Sequence, residues 1–237
     1  MEKTKKGFTK GEWGLWLGSV GALAISQLLL GAWEPATLGV SVLGVTSLIF
    51  CAQGNPVGQG LMILFGCLYG AISYTFSYYG EMITYLGMTV PMAILSLISW
   101  LRHPYRGQRT QVAVNSVHRG EVAGMLVLTL GVTAAFAFLL RALGTANLVP
   151  STLSVATSFV AAYLTLRRSE YFALAYALND LVLILLWVLA AREQAGYGAV
   201  AVCFGVFFIN DLYGFVRWRR RRLAQGAPEK EKPRAGT

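Results

Sequence analysis

Apolar residues in this chain fall into eight long runs, at 13–33, 36–51, 57–76, 83–101, 121–143, 148–166, 170–191 and 197–218, separated by polar connections. A helix rises about 1.5 Å per residue and a bilayer core is about 30 Å thick, so runs of roughly twenty predict membrane-spanning helices. The second run is the shortest and suits a tilted or partly buried helix. Basic residues precede the first run, as in a signal peptide, but no small-x-small cleavage site follows it and the run is long for such a segment, so a retained helix is expected. The one long polar connection, 102–120, divides the chain into two halves. Beyond Trp218 the sequence is charged and contains Pro and Gly, which predicts a disordered tail.

Composition agrees with this pattern. Of 237 residues 55% are hydrophobic and 13% charged, against about a quarter charged in soluble domains. The net charge of +9 suggests nucleic acid until the charges are placed. With both termini cytoplasmic, every one of the 20 basic residues except Arg141 and Arg192 lies on the inner side. This is the positive-inside bias of a multi-pass protein of the cell inner or plasma membrane, and the nucleic-acid reading loses its support. The arginine run after Trp218 reads as an orientation anchor touching anionic lipid. All six tryptophans fall near proposed helix ends, where indoles favour the headgroup level.

Three scattered cysteines, Cys51, Cys67 and Cys203, support no disulfide framework or CxxC site and read as packing residues. Two histidines in one loop leave no plausible metal constellation. No P-loop, GxSxG, HExxH or dinucleotide fingerprint is present, so neither an ATP-driven pump in this chain alone nor a cofactor-dependent enzyme is indicated. The pairs Gly14/Gly18, Gly54/Gly58 and Gly66/Gly70 have the spacing of close helix contacts.

A shift of 118 residues superposes Tyr79-Gly80 on Tyr197-Gly198, Gly87 on Gly205, Trp100 on Trp218 and Arg102 on Arg220, with Tyr69 over Trp187. The shift moves the chain by four spans, so related helices run in the same direction. That is a parallel repeat about an axis along the membrane normal, as in one class of secondary carriers.

Ionisable side chains inside a bilayer are costly, which makes them functional candidates. Two acids qualify, each after an asparagine: Asn179-Asp180 in the seventh run and Asn210-Asp211 in the eighth. Their depths match on adjacent antiparallel helices, so a shared polar cavity is expected. The bland alternative is polar groups that merely hold helices together. Phe172 and Tyr176 precede Asn179 by seven and three, and Tyr213 follows Asn210 by three, spacings that put the Tyr and Asn of each helix on one face. Aromatic rings with carboxylates suit a flat cationic solute.

The segments YYGEMITYLGMTVPMAILSLISWLRHP (78–104), RRSEYFALAYALNDLVLILLWVLA (167–190) and FFINDLYGFVRWRRRR (207–222) resemble the PnuC family of vitamin transporters, over about 36–222. The resemblance implies an all-α integral membrane protein with a seven-helix 3+1+3 core related to the SWEET fold, plus one extra N-terminal transmembrane helix. In that scheme 1–35 holds the extra helix, 36–101 the first triple-helix bundle, 102–147 the cytoplasmic loop and linker helix, 148–218 the second triple-helix bundle and 219–237 the basic tail. Family members often carry WxxW before the asparagine aligned with Asn179; here Phe172 and Ala175 stand there. The NxxY of the last helix is intact as Asn210 and Tyr213.

The implied activity is uptake of nicotinamide riboside by ATP-independent alternating access, trapped by a separate cytoplasmic kinase. The implied binding residues are Phe172, Tyr176, Asn179, Asp180, Asn210, Asp211 and Tyr213. Partners are the riboside and the lipid bilayer, without nucleic acid, metal or cofactor; a homo-oligomer is compatible. The alternative substrate is thiamin, also cationic and aromatic, or another aromatic vitamin carried by the same family. An integral-membrane enzyme would need more acids or a nucleophile with its base at the interface, and a non-transporting assembly subunit would bind no solute.

Overall fold

The computed structural model describes residues 7–75, 79–145 and 147–226; residues 227–237 of the expected tail lie outside it. Each apolar run forms a helix. In chain order they are α1 (Lys10–Leu29), α2 (Pro35–Ala52), α3 (Val57–Thr75), α4 (Tyr79–Thr84), α5 (Val90–Arg102), α6 (Arg119–Ala142), α7 (Leu148–Leu166), α8 (Phe172–Ala191) and α9 (Gly198–Gly226). A π-helical turn, Tyr85–Thr89, joins α4 to α5, so these three form one span. Pro91 has no N–H to return to the Gly87 carbonyl, and the widened turn sits immediately before it.

Helix ends differ from the apolar runs where capping chemistry intervenes. The Thr9 hydroxyl accepts from the Glu12 N–H at 3.3 Å while the Glu12 carboxylate accepts from the Thr9 N–H at 2.7 Å. This capping box starts α1 at Lys10 rather than 13. The left-handed Gly31 at φ +62° ends it before Trp33. Pro35, with φ already set for a helix, opens α2.

Two bundles result. Helices α2 and α3 and the α4–α5 span form one, α7, α8 and α9 the other, and α6 packs on α7. The bundles meet where α2 crosses α9 and α5 crosses α7, while α1 lies against α9 and α2. Gly58, Gly66 and Gly70 mark close approaches: an added Cβ would stand 2.6 Å from the Cys51 backbone nitrogen, 2.7 Å from Val90 and 2.7 Å from Leu86 respectively. Gly14 and Gly18 touch nothing within 4 Å, so that spacing is incidental.

The arginine-rich end is more ordered than its composition suggests. Residues 102–120 hold a hairpin, β1 (Pro104–Tyr105) and β2 (Gln108–Val112), whose turn residues Arg106 and Gly107 both have positive φ, as a type I′ turn requires. The Val112 N–H donates to the Gly54 carbonyl and the Asn115 N–H to the Arg168 carbonyl, both at 3.0 Å, so the hairpin straps both bundles. The expectation of disorder after Trp218 is corrected for 219–226: α9 continues to Gly226, and Gln225 accepts from the Val114 N–H at 2.7 Å. Arg219 and Arg222 reach the buried Glu170 carboxylate, which lengthens the helix by ion pairing rather than by apolar burial.

Trp100 and Trp218, the pair related by the 118-residue shift, are both fully buried with ring centroids 5.3 Å apart. Trp100 Nε1–H donates to the Thr165 carbonyl at the end of α7, and Trp218 Nε1–H to the Cys51 carbonyl at the end of α2. Each bundle thus sends the indole of its last helix to the first helix of the other, and the repeat is visible as this exchange. These two tryptophans and the buried Trp187 are core residues, not lipid-interface rings; Trp13 and Trp33, each 51% exposed, are placed for that role. Cys51 is buried in the tryptophan cluster, Cys203 half-buried and Cys67 exposed.

Candidate functional site at the junction of the two bundles

On α9 the residues Phe204, Phe207, Asp211, Gly214 and Trp218 follow alternating spacings of three and four, which places them on one stripe. On α8, Phe172, Tyr176, Asp180, Leu183 and Trp187, spaced by four, four, three and four, likewise share one stripe. The two stripes face each other along the closely packed α8–α9 pair. Asp180 and Asp211 therefore both fall at mid-stripe, on adjacent helices. Both are buried, and both border a small chamber of about 60 Å³ together with Tyr176, Asn179, Tyr85 and Glu81.

The chamber lies beneath two larger spaces. A vestibule of about 440 Å³ opens between α1, α2 and α3 on one side and α8 and α9 on the other; its aromatic walls include Phe65, Tyr69, Trp187, Tyr197, Phe204 and Phe207. Phe65, Phe204 and Phe207 also border the chamber and form the neck between the two. A separate cleft of about 260 Å³ lies between α4, the α6–α7 connection and α8, and shares Glu81, Thr84 and Ser154 with the chamber. Both open toward the end opposite the arginines. At the arginine end, Phe172 stacks edge-on to Trp218 at 4.8 Å and, with Trp100, fills the space below the acids. No Lys, Arg or His borders the vestibule, cleft or chamber among the described residues.

The residues expected from sequence separate into two groups. Tyr176, Asn179, Asp180 and Asp211 come together at the chamber. Asn179 is held from behind by α7, its Oδ1 accepting from the hydroxyls of Thr157 at 2.7 Å and Ser158 at 3.0 Å. Phe172 belongs to the tryptophan cluster. Asn210 and Tyr213 turn to α1: Asn210 Nδ2 donates to Ser19 Oγ at 3.0 Å, and the Tyr213 hydroxyl to Glu12 Oε1 at 3.1 Å. One residue along a helix is a rotation of about 100°, so the Asn before each Asp serves a different neighbour from the Asp itself.

Two further acids bear on the site. Glu81 falls at the mouth of the fourth span, just before the apolar run at 83–101, and so goes unnoticed in a search for acids inside the runs. Glu12 falls just before the first run in the same way. It has no exposed surface and gathers Thr9, Gln53 at 3.1 Å, Tyr213, and Arg217 at 3.5 Å. It thereby ties α1 to α9 and to the α2–α3 connection. Charge-assisted hydrogen bonds contribute about 1.5–3 kcal/mol each, and Arg217, more than a third exposed, adds little by charge alone. Glu12→Ala is expected to destabilise the protein by roughly 3 kcal/mol and Glu12→Gln by less, read as the unfolding midpoint in detergent.

Seven helices long and apolar enough to cross a membrane, with a chamber bordered by polar side chains where the two bundles meet, suit a membrane carrier. Residues 34–220 match the family described as "Nicotinamide mononucleotide transporter", and the chain belongs to that family. It is a multi-pass membrane transporter, of a family of carriers rather than enzymes. It is 26% identical over 185 residues to a protein of Neisseria mucosa named "Nicotinamide riboside transporter PnuC", covering 76% of this chain and 70% of that one. Its fold is shared with the crystal structure of a protein titled "Vitamin B3 transporter PnuC", at a TM-score of 0.77 and 21% identity, over 92% of this chain and 94% of that one. Helix α1 precedes the family match.

Proposed function

We propose that this chain carries nicotinamide riboside into the cell by alternating access without ATP, with the arginine-rich end and both termini in the cytoplasm. The observation that carries the reading is the pairing of an aromatic vestibule with two buried carboxyls and no basic side chain. The riboside is a pyridinium cation: its ring stacks on the vestibule aromatics and its charge is balanced by the acid pair. At about 440 Å³ the vestibule falls in the usual range for a small-molecule site, while the chamber below admits only part of the solute.

Asp180 and Asp211 are the charge-balancing residues of this reading, with Tyr176 and Asn179 beside them. Phe172, Asn210 and Tyr213 act one layer behind, Phe172 in the closed end and the other two in holding α9 against α1. The triple-helix bundles rock about the α2–α9 and α5–α7 contacts, with α6 as the linker. Accumulation follows from phosphorylation of the riboside by a separate cytoplasmic kinase.

The same chemistry argues against the mononucleotide. A phosphate adds a charge of about −1.5 to −2 at neutral pH and meets acids here without a guanidinium or ammonium to receive it. The test is equilibrium binding of the riboside, its mononucleotide, thiamin and riboflavin to purified protein, followed by uptake into proteoliposomes without ATP. Saturable binding of the riboside with little of the mononucleotide is expected. Preference for thiamin keeps the transport class and changes the substrate, whereas preference for the mononucleotide refutes the charge argument.

A further inference from the structure

The vestibule has two unlike walls. Its aromatic wall comes from α3, α8 and α9, whereas α2 and the end of α1 bring polar side chains. Glu34, the residue before α2, and Thr37 and Ser41 within it are spaced by three and four, so they share one face along the vestibule. The two hydroxyls of that face have already spent their hydrogens: Thr37 donates to the Glu34 carboxylate, and Ser41 to the Thr37 carbonyl at 2.9 Å. What remains for a solute is oxygen lone pairs, so this face accepts hydrogen bonds. Seven residues beyond Ser41 on the same helix lies Leu48, which borders the chamber, so the face leads from the mouth inward.

Gln27 of α1 supplies the complementary group. It lines the vestibule with only 6% of its surface exposed. Its Oε1 accepts from the Glu34 N–H at 3.4 Å, which sets the amide beside Glu34 and leaves Nε2 as the other end. Among the described residues Nε2 makes no hydrogen bond, and neither does Glu34 Oε1. A buried donor without a protein partner is completed by a solute that accepts from it. Glu34 is also the one acid bordering the vestibule among the described residues. Gln27 lies outside the residues that match the family, 34–220.

We propose that Gln27 and Glu34 form an outer recognition site for the sugar of a ribosylated cation, at the mouth of the vestibule. The inference rests on the cation-carrier reading above and deepens it: aromatic rings and acids take any flat cation, and this corner selects the one that carries a ribose. Each ribose hydroxyl both donates and accepts. One hydroxyl donates to Glu34 Oε1 while its neighbour accepts from Gln27 Nε2, and the two protein groups stand side by side because the Glu34 N–H is held by Gln27. Glu34 Oε2 stays with Thr37 and Gln27 Oε1 with the Glu34 N–H, so binding breaks no hydrogen bond already made in this wall. Helix α1 thus adds a specificity-determining donor to the site.

The test is equilibrium binding of two cations to the purified full-length protein: nicotinamide riboside, and 1-methylnicotinamide, which has the same ring and charge with a methyl group in place of the sugar. The unmodified protein is expected to prefer the riboside by about tenfold or more. Glu34→Gln keeps an acceptor for Thr37 and is expected to weaken the riboside about tenfold; Gln27→Met keeps the side-chain length, removes the donor and is expected to weaken it about fivefold. The methyl cation is expected to change by about twofold or less in both, because a half-exposed charge acts weakly at a distance. The preference therefore narrows, which a merely structural role in docking α1 does not produce, since that lowers both affinities together. A melt on the same preparations checks folding, and Glu34→Gln decides alone if Gln27→Met fails to fold. Equal affinity for the two cations in the unmodified protein, or an unchanged preference in the variants, overturns sugar recognition and leaves the carrier reading intact. Absence of binding by both cations overturns the carrier reading and the outer site with it.

Discussion

The double substitution Asp180→Asn, Asp211→Asn is expected to remove binding of cationic solutes while leaving the protein as stable as before. Amide replaces carboxyl at nearly equal volume, and two amides can still hydrogen-bond across the α8–α9 contact, so the helices keep their fit. Removing buried acids that have no cationic partner relieves a desolvation cost; by analogy with buried ion pairs replaced by neutral groups, the unfolding midpoint is expected to stay level or to rise. The solute's charge, by contrast, is left without a counterion in a buried site. Truncating one member of a buried charge pair costs about 2–5 kcal/mol, and the lower figure corresponds to an affinity loss of about 30-fold. Either single substitution leaves one carboxylate and is expected to lose less. Binding of labelled riboside and a detergent melt on the same preparation read both halves. Binding lost together with stability assigns the acids to helix packing. Binding kept in a stable protein removes charge balance as their role.

That the acids meet is legible in the sequence, and so is the division of labour around them, although the second needs a finer reading. The spacing of Phe204, Phe207, Asp211, Gly214 and Trp218 marks one face of α9, and Val206, Asn210, Tyr213 and Arg217 mark the next. Treating Asn210-Asp211 as a unit merges two faces that a helix holds about 100° apart. The second face looks polar because α1 covers it with Ser19 and Glu12. A helix is matched to its cover only through tertiary contacts, which no periodicity within α9 reports.

Other features escaped for different physical reasons. Hydropathy marks where apolar residues are dense, so a span opened by Tyr79-Gly80-Glu81 is trimmed at its polar mouth, where Glu81 lies. The π turn follows from Pro91, but a proline near the middle of an apolar run is compatible with a kink or a plain helix start, and sequence does not choose. The hairpin and the extension of α9 are built from arginines, glutamine and main-chain groups. Their order comes from partners far along the chain, Gly54, Arg168 and Glu170 among them, and composition registers only that the residues are polar.

Trp218→Ala is expected to loosen the arginine-rich end and to unmask Cys51. Truncating a buried tryptophan to alanine costs roughly 3–5 kcal/mol, and here the lost ring touches Trp100 at 5.3 Å and Phe172 at 4.8 Å. The cluster holds together groups from both bundles, so the cost falls on the form in which this end is closed. A form in which the bundles have parted there has already given up those contacts. A bias of 3 kcal/mol shifts such an equilibrium by about two orders of magnitude. The reporter is built in: Cys51 is 3% exposed beneath the indole, and its carbonyl receives the Trp218 N–H at 2.8 Å. In a background carrying Cys67→Ser and Cys203→Ser, thiol labelling of Cys51 is expected to be slow with Trp218 present and much faster in Trp218→Ala. Trp218→Phe retains most of the ring and leaves the carbonyl without its donor, a loss of about 1 kcal/mol, and should label at a rate between the two. Trp100→Ala is expected to act in the same direction and, because the rings touch, to add less than its own effect to Trp218→Ala. If labelling stays slow in both alanine variants while their melting points fall, the tryptophan exchange is a fixed brace in every state of the carrier, and the moving closure lies elsewhere along the α2–α9 contact.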